Sequence, residues 1–358
     1  MSGADDPGWV ACETGGGRLA FDPAQGNLRR LVLPVDGREI EPLHTAHWVG
    51  DPVPEGMPPV EARLAGDFLC APFGETGKDS VPPHGWPANV AWDVTPAPGR
   101  LDALLRREVR GARISKRLIL SEDTPILYQE HWISGGDGPL TVAYHPMIRC
   151  AAGARASYSP KRTALTPATP LEPGRNALTY PASGPLDVFP GADRPVDLHD
   201  LPIGRGTEDF VTLVEAEGRN LGWTALLREA EDDLIVVLKD ARTLLVTMLW
   251  HSNGGRDYAP WDGCHDGVLG IEDGCAAGIA DPHAAAGPNP VAATGVATAL
   301  TLAPGRTHRI AQAILALSRD GWTGVADLAC EGAELAITSD TSATRRVPFR
   351  PDFIREAS

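Results

Sequence analysis

The chain is 358 residues long, enough to bury a large core; length alone suggests about two domains, although all-β sandwiches run to roughly 200–250 residues as one unit. A formal charge of −15 and a pI near 5.1 argue against nucleic acid as a partner, because binding a phosphate backbone requires a basic surface that releases counterions. No apolar run approaches the ~18 residues of a membrane span, and the opening MSGADDPGWVACETGGG is not an export signal, so the expected setting is the cytoplasm with no membrane partner.

The 39 glycines and 33 prolines are spread along the whole chain among β-branched runs, which suits many short strands joined by turns. The expected fold class is all-β, a large antiparallel β-sandwich with few short helices. Six cysteines without a CxxC pair are expected to be reduced thiols.

In chain order, residues 1–17 read as a loose lead-in, and residues 18–358 as one sandwich domain. Arg18 to Leu33 reads as a β-hairpin around a Pro/Gln/Gly/Asn turn. Asp51 to Trp92 is proline-rich and aperiodic, a pattern that marks a binding loop. Leu104 to Ile148 alternates again as an antiparallel meander, with His145 at the end of its last strand. The basic run Arg106, Arg107, Arg110, Arg113, Lys116 and Arg117 reads as the wet face of adjacent strands. Residues 151–206 read as an arm across the surface, followed by a second set of strands. Val325 to Ile337 is the clearest helical signal.

No Walker loop, dinucleotide fingerprint, HExxH, GxSxG or zinc-spaced Cys/His set is present. Chemistry is therefore sought in three other segments. GDFLCAPFG at 66–74 leads to His84 in PPHGW. In VAYHPMIR, His145 precedes a proline that pushes its backbone to extended geometry. In VLGIEDG, Glu272 follows an apolar strand and precedes a glycine-bearing loop.

In order and spacing these segments resemble the galactose mutarotase-like superfamily, the aldose 1-epimerases, and more closely its hexose-6-phosphate epimerase-like and uncharacterised bacterial branches. The resemblance runs from Arg38 to Ser318 and includes REIEPLH and LTLAPGR. It implies a mutarotase-like supersandwich and interconversion of α and β anomers of a hexose, without cofactor or metal. It also implies that Glu272 takes the proton of the anomeric hydroxyl, that His145 protonates the ring oxygen, and that His84 steadies that oxygen. Such a reaction needs a positioned base and a nearby acid. Arg63 matches an arginine that holds ring hydroxyls.

The family's hydroxyl-gripping aspartate has no clear counterpart, and Asp257 and Asp262 are the candidates. Trp86 and Trp261 are expected as platforms for the sugar ring, and Asn253 and Arg256 as further lining, whereas Trp250 is expected in the core. His251 is expected in the same cleft; His44, His47, His131, His199, His265, His283 and His308 are expected on the surface or in turns. The expected partner is a small-molecule sugar, and the expected assembly a monomer or homodimer. The competing reading is a non-catalytic carbohydrate-binding or sensing protein on the same fold; lyase or hydrolase chemistry would need a second convincing carboxylate.

Overall fold

A computed structural model describes residues 8–74, 81–350, 352 and 353 of the chain. Alternating apolar side chains build an antiparallel β-sandwich of two large sheets. The first has nine strands among the described residues, in the order Asp200–Leu201, Ala154–Tyr158, Leu221–Arg228, Asp233–Asp240, Thr307–Ser318, Ile126–Gly135, Ala112–Leu120, Arg100–Leu105, Trp92–Ala97. The second has eight. Seven run in the order Ser183–Gly184, Lys161–Leu165, Thr207–Glu215, Val246–Asn253, Val268–Cys275, Val142–Tyr144, Leu69–Cys70; the eighth, Met147–Arg149, also pairs with Val268–Cys275. Among the described residues no helix is long and apolar enough to cross a membrane.

Side chains alternate across each strand, so the second sheet has one face toward its partner sheet and one toward the covering loops. Val211, Leu213, Leu249 and Ile271 enter the main core between the sheets. Phe210, Met248 and Trp250 project the other way, into a second apolar cluster with Trp48, Leu64, Phe68 and Phe73. Every residue of Val246–Asn253 and Val268–Cys275 is buried. The long loops cover this outer face, and the space left beneath them is the cavity described below.

The expected hairpin forms between Gly17–Asp22 and Asn27–Val35. Its turn needs Gly26 at φ 67°, because a Cβ there would lie 2.0 Å from Trp92 Nε1. The described part of the expected lead-in is not loose: Val10–Thr14 is a strand paired with Gly17–Asp22; residues 1–7 lie outside the described residues.

Three other expectations are corrected. Val325 to Ile337 is a hairpin, Val325–Glu331 against Glu334–Ser339. A register shift between Val325 and Asp327 puts Val325 and Leu328 on one buried face, which imitates helical spacing. Lys116 is no surface residue; it alternates inward with Ile114 and Leu118 and is only 2% exposed. The segment 151–206 gives strands to both sheets, Ala154–Tyr158 to the first and Lys161–Leu165 to the second, before winding back.

Candidate active site

The Val142–Tyr144 strand breaks at His145–Pro146 and resumes at Met147, both pieces pairing with Val268–Cys275. Ile271 donates its amide to the Pro146 carbonyl at 2.9 Å, which sets the break opposite Glu272. His145 Nε2 lies 3.2 Å from Glu272 Oε1, and both side chains are almost fully buried. Glu272 sits within the strand, not at its end as expected from the sequence.

Three contacts position His145, two on its ring and one on its backbone. Phe68 stacks on it, with centroids 4.6 Å apart and planes 24° from parallel. His84 meets it edge-on at 5.0 Å. The Asp67 carboxylate accepts the His145 amide hydrogen at 3.0 Å.

His84 reaches the site through an unusual turn. It takes φ 62°, rare for a residue with a Cβ, and Gly85 follows at φ 75°. Only glycine fits there, because a Cβ would lie 2.2 Å from the Ala71 carbonyl oxygen. The His-Gly pair is thus a steric requirement of passing the loop beside Ala71.

Burial controls the electrostatics. It raises the Glu272 carboxyl well above the ordinary carboxylate range. It lowers His145 well below the usual imidazole value, with His84 adding to the effect. His84 itself falls to about 4, through burial and the nearby Arg256 charge. These directions favour an uncharged pair, in which the Glu272 carboxyl donates to His145 Nε2 and Nδ1 carries the ring proton. His145 Nδ1 has no hydrogen-bond partner among the described residues.

The pair forms one wall of a cavity of about 520 Å³. Phe73, Phe210, Trp250 and Trp261 supply aromatic walls, and Glu61 and Arg256 face in as charged groups. The Arg256 guanidinium lies 4.3 Å from the centre of the Trp261 ring, and its Nε donates to Glu172 at 3.2 Å. Burial raises the Glu61 carboxyl, and Arg256 partly offsets this. Behind the wall, Trp250 Nε1 donates to Glu208 at 2.8 Å, Ser252 donates to the same carboxylate, and the His265 ring stacks on Trp250. Among the described residues no three His, Cys, Asp or Glu side chains gather as a metal site.

Of the residues singled out from sequence, His84, His145, Glu272, Trp261 and Arg256 line this cavity. The others lie elsewhere. Trp86 opens a short 3-10 turn with the Arg107 guanidinium 3.5 Å over its ring, packed on the main core. The Arg63 side chain is 56% exposed and leans toward Asp22. Asp257 pairs with Arg175 at the surface, and Asp262 is exposed in a turn. Asn253 is buried beside a separate small hollow with His251. His131 and His265 are buried rather than at the surface. Conversely, Trp250, Phe210 and Glu61 were not expected to line the cavity. Trp250 and Phe210 pair directly across adjacent strands, a relation visible only once the register is known.

No protein-family model and no curated relative matches the chain. Solved structures do. A provisionally named aldose 1-epimerase from Escherichia coli K12 superposes with a TM-score of 0.58 at 14% identity, over 86% of this chain and 98% of that one. A galactose mutarotase related enzyme from Lactobacillus acidophilus gives 0.55 at 14%, over 87% and 98%. A second provisionally named aldose 1-epimerase, from Klebsiella pneumoniae, gives 0.54 at 14%, over 89% and 83%. The chain therefore has the galactose mutarotase-like β-sandwich fold.

Proposed function

We propose that this chain interconverts the α and β anomers of a hexose or hexose derivative, as an aldose 1-epimerase. The observation that carries the reading is the buried contact between His145 Nε2 and Glu272 Oε1, 3.2 Å long, in the wall of an aromatic-lined cavity.

The pair holds the protons the reaction needs. Passing the carboxyl proton to His145 Nε2 creates a carboxylate base and an imidazolium acid together, with no change in total charge. The carboxylate of Glu272 takes the proton of the anomeric hydroxyl, His145 protonates the ring oxygen, the bond from C1 to the ring oxygen breaks and the C1 carbonyl forms. The pair is then uncharged again, its state in the free protein. Rotation about C1–C2 and reversal of the same transfers close the ring on the other face. A carboxylate made more basic by burial is better suited to this task than an exposed one.

Polarimetry of freshly dissolved α-glucose and α-galactose, and of their 6-phosphates, tests the reading. The expected result is faster mutarotation of at least one sugar, slowed by roughly 100-fold or more in Glu272→Gln, the range for loss of one acid or base. A rate unaffected by the protein for every sugar would end the proposal. One observation favours the rival reading of sugar binding without turnover: Arg63, expected to hold the ring, lies outside the cavity with its guanidinium 4.0 Å from Asp22. That reading predicts calorimetric sugar binding, retained in Glu272→Gln, with no gain in rate.

A further inference from the structure

Trp250 stands in the cavity wall with its ring centre 5.8 Å from that of His145. Gly270, opposite it in the neighbouring strand, makes the room: a Cβ there would lie 3.2 Å from both Trp250 Cβ and Glu272 Oε1. The indole is held from behind by three residues that do not line the cavity. Its Nε1 donates to Glu208 Oε2 at 2.8 Å, Ser252 donates to Glu208 Oε1 at 2.7 Å, and Ser252 Oγ lies 2.7 Å from His265 Nδ1. The His265 ring in turn stacks on the indole, with centroids 5.4 Å apart and planes 17° from parallel.

Counting hydrogens shows what this arrangement favours. Ser252 has a single hydroxyl hydrogen, and burial keeps the His265 ring neutral, with one ring hydrogen. When Glu208 is ionised, Ser252 donates to it, His265 Nδ1 donates to Ser252, and His265 Nε2 carries no hydrogen. When Glu208 is protonated, it donates to Ser252, Ser252 donates to Nδ1, and the ring hydrogen moves to Nε2. That nitrogen is buried without a hydrogen-bond partner among the described residues, so its hydrogen would have no acceptor. The hydrogen bonds therefore favour the carboxylate, while burial opposes it and Arg256 supports it. A carboxylate makes the bond to Trp250 charge-assisted, and it draws the N–H hydrogen toward itself, which enriches the negative indole face that meets the C–H side of a sugar ring.

We infer that Glu208 is a positioning residue of this site: without touching the sugar, its carboxylate acts through Trp250 to set how tightly the ring is held, and leaves proton transfer at His145 and Glu272 unchanged. The inference rests on the epimerase reading, which supplies the sugar as ligand.

Calorimetry and polarimetry on the whole protein at pH 8, with glucose, galactose and their 6-phosphates, test it. Glu208→Gln retains an acceptor for Trp250 but no charge; it is expected to bind sugar about threefold or more weaker with kcat within about twofold of wild type. Trp250→Phe removes the indole N–H, and adding Glu208→Gln to it is expected to change affinity by less than about 1.5-fold further. Unchanged affinity in Glu208→Gln, a lower kcat at unchanged affinity, or losses that multiply in the double variant overturn the inference.

Should Glu208→Gln fail to fold, the wild type decides through pH. Glu208 is raised to about 7; the charged groups facing it are Arg256 and Glu172, and the titratable rings are His265, held well below that value, and Tyr180 and Tyr258, held well above it. Sugar affinity is then expected to fall about threefold or more from pH 8 to pH 6, and a flat profile overturns the inference. Turnover is judged separately. Sugar binding with these affinity changes but no gain in mutarotation overturns the epimerase reading alone, whereas a wild type that binds no sugar overturns both.

Discussion

Asp67 holds His145 from behind. Its Oδ1 accepts the His145 amide hydrogen at 3.0 Å, and the adjoining Phe68 lays its ring on the imidazole. One short segment thus fixes both the backbone and the ring plane of the histidine that touches Glu272. Asp67 is fully buried; burial raises its pKa, and the buried Lys116 beside it opposes that. Neither Asp67 nor Lys116 reaches the cavity.

Replacing Asp67 by alanine leaves two buried donors, the His145 amide and Gln129 Nε2, without their acceptor. At about 1–3 kcal/mol for each, the expected cost is about 2–6 kcal/mol in urea unfolding. Asp67→Asn keeps an acceptor for the amide and is expected to cost about 1–3 kcal/mol. Where the protein turns over a sugar, Asp67→Asn should lower kcat with little change in KM. Equal stability of the two variants would show that the carboxylate does not hold this strand end.

The histidine-glycine turn carries a pH signature. The folded value of His84 is about 4 against 6.5 for the free side chain, chiefly because the ring is buried. The unfolded chain therefore binds this proton first, so the contribution to stability is complete above pH 6.5 and is lost as the pH falls toward 4. At full extent this amounts to roughly 3 kcal/mol. Glu208, raised to about 7 by burial, acts in the opposite sense, with stability present at low pH and lost as pH rises through 7. The comparison of wild type with His84→Gln isolates the imidazole. The variant is expected to lose less stability between pH 6.5 and 4 than wild type does. Parallel stability curves would mean that His84 is not held neutral by the fold.

Much of the site was legible because its motifs carry local constraints. His-Gly announces a turn that admits no second Cβ, and His-Pro announces a strand end. The misplacements have a common cause in direction. Arg63 caps the Pro59–Ala62 helix whose Glu61 faces the cavity, and positions two residues apart on a helix differ by about 200° around its axis. Trp86 follows His84 through two left-handed residues into a 3-10 turn, which swings its ring to the main core. Trp250 read as core because a strand buried on both faces shows no polar alternation to say which side is lined by loops. The helix expected at Val325 failed for the related reason that one bulge changes an alternating pattern into a spacing of three.

Behind the site, a polar row replaces part of the apolar core. Gln129 and Gln312 lie opposite each other in the nine-stranded sheet and reach across to the other sheet. Gln129 Nε2 donates to Asp67 at 2.5 Å, and Gln312 Nε2 donates to Asp273 at 2.9 Å. Asp273 is the neighbour of Glu272 but points to the opposite face, where Lys239 approaches it at 3.3 Å and Thr247 donates to it. Lys239 also meets Glu215, which pairs with Lys161. Buried ion pairs of this kind add little stability over apolar packing of the same volume. Their effect is positional: one pair of glutamines ties the segment holding His145 to the strand holding Glu272. Gln312→Leu fills the same space but leaves an Asp273 oxygen without its donor, at an expected cost of about 1–3 kcal/mol. Gln129→Leu does the same at Asp67. The two glutamines touch at 3.5 Å, so the double variant is expected to depart from additivity by about 0.5 kcal/mol or more. Additive losses in urea unfolding would mean that the two ties act separately and that the sheets are not linked through this row.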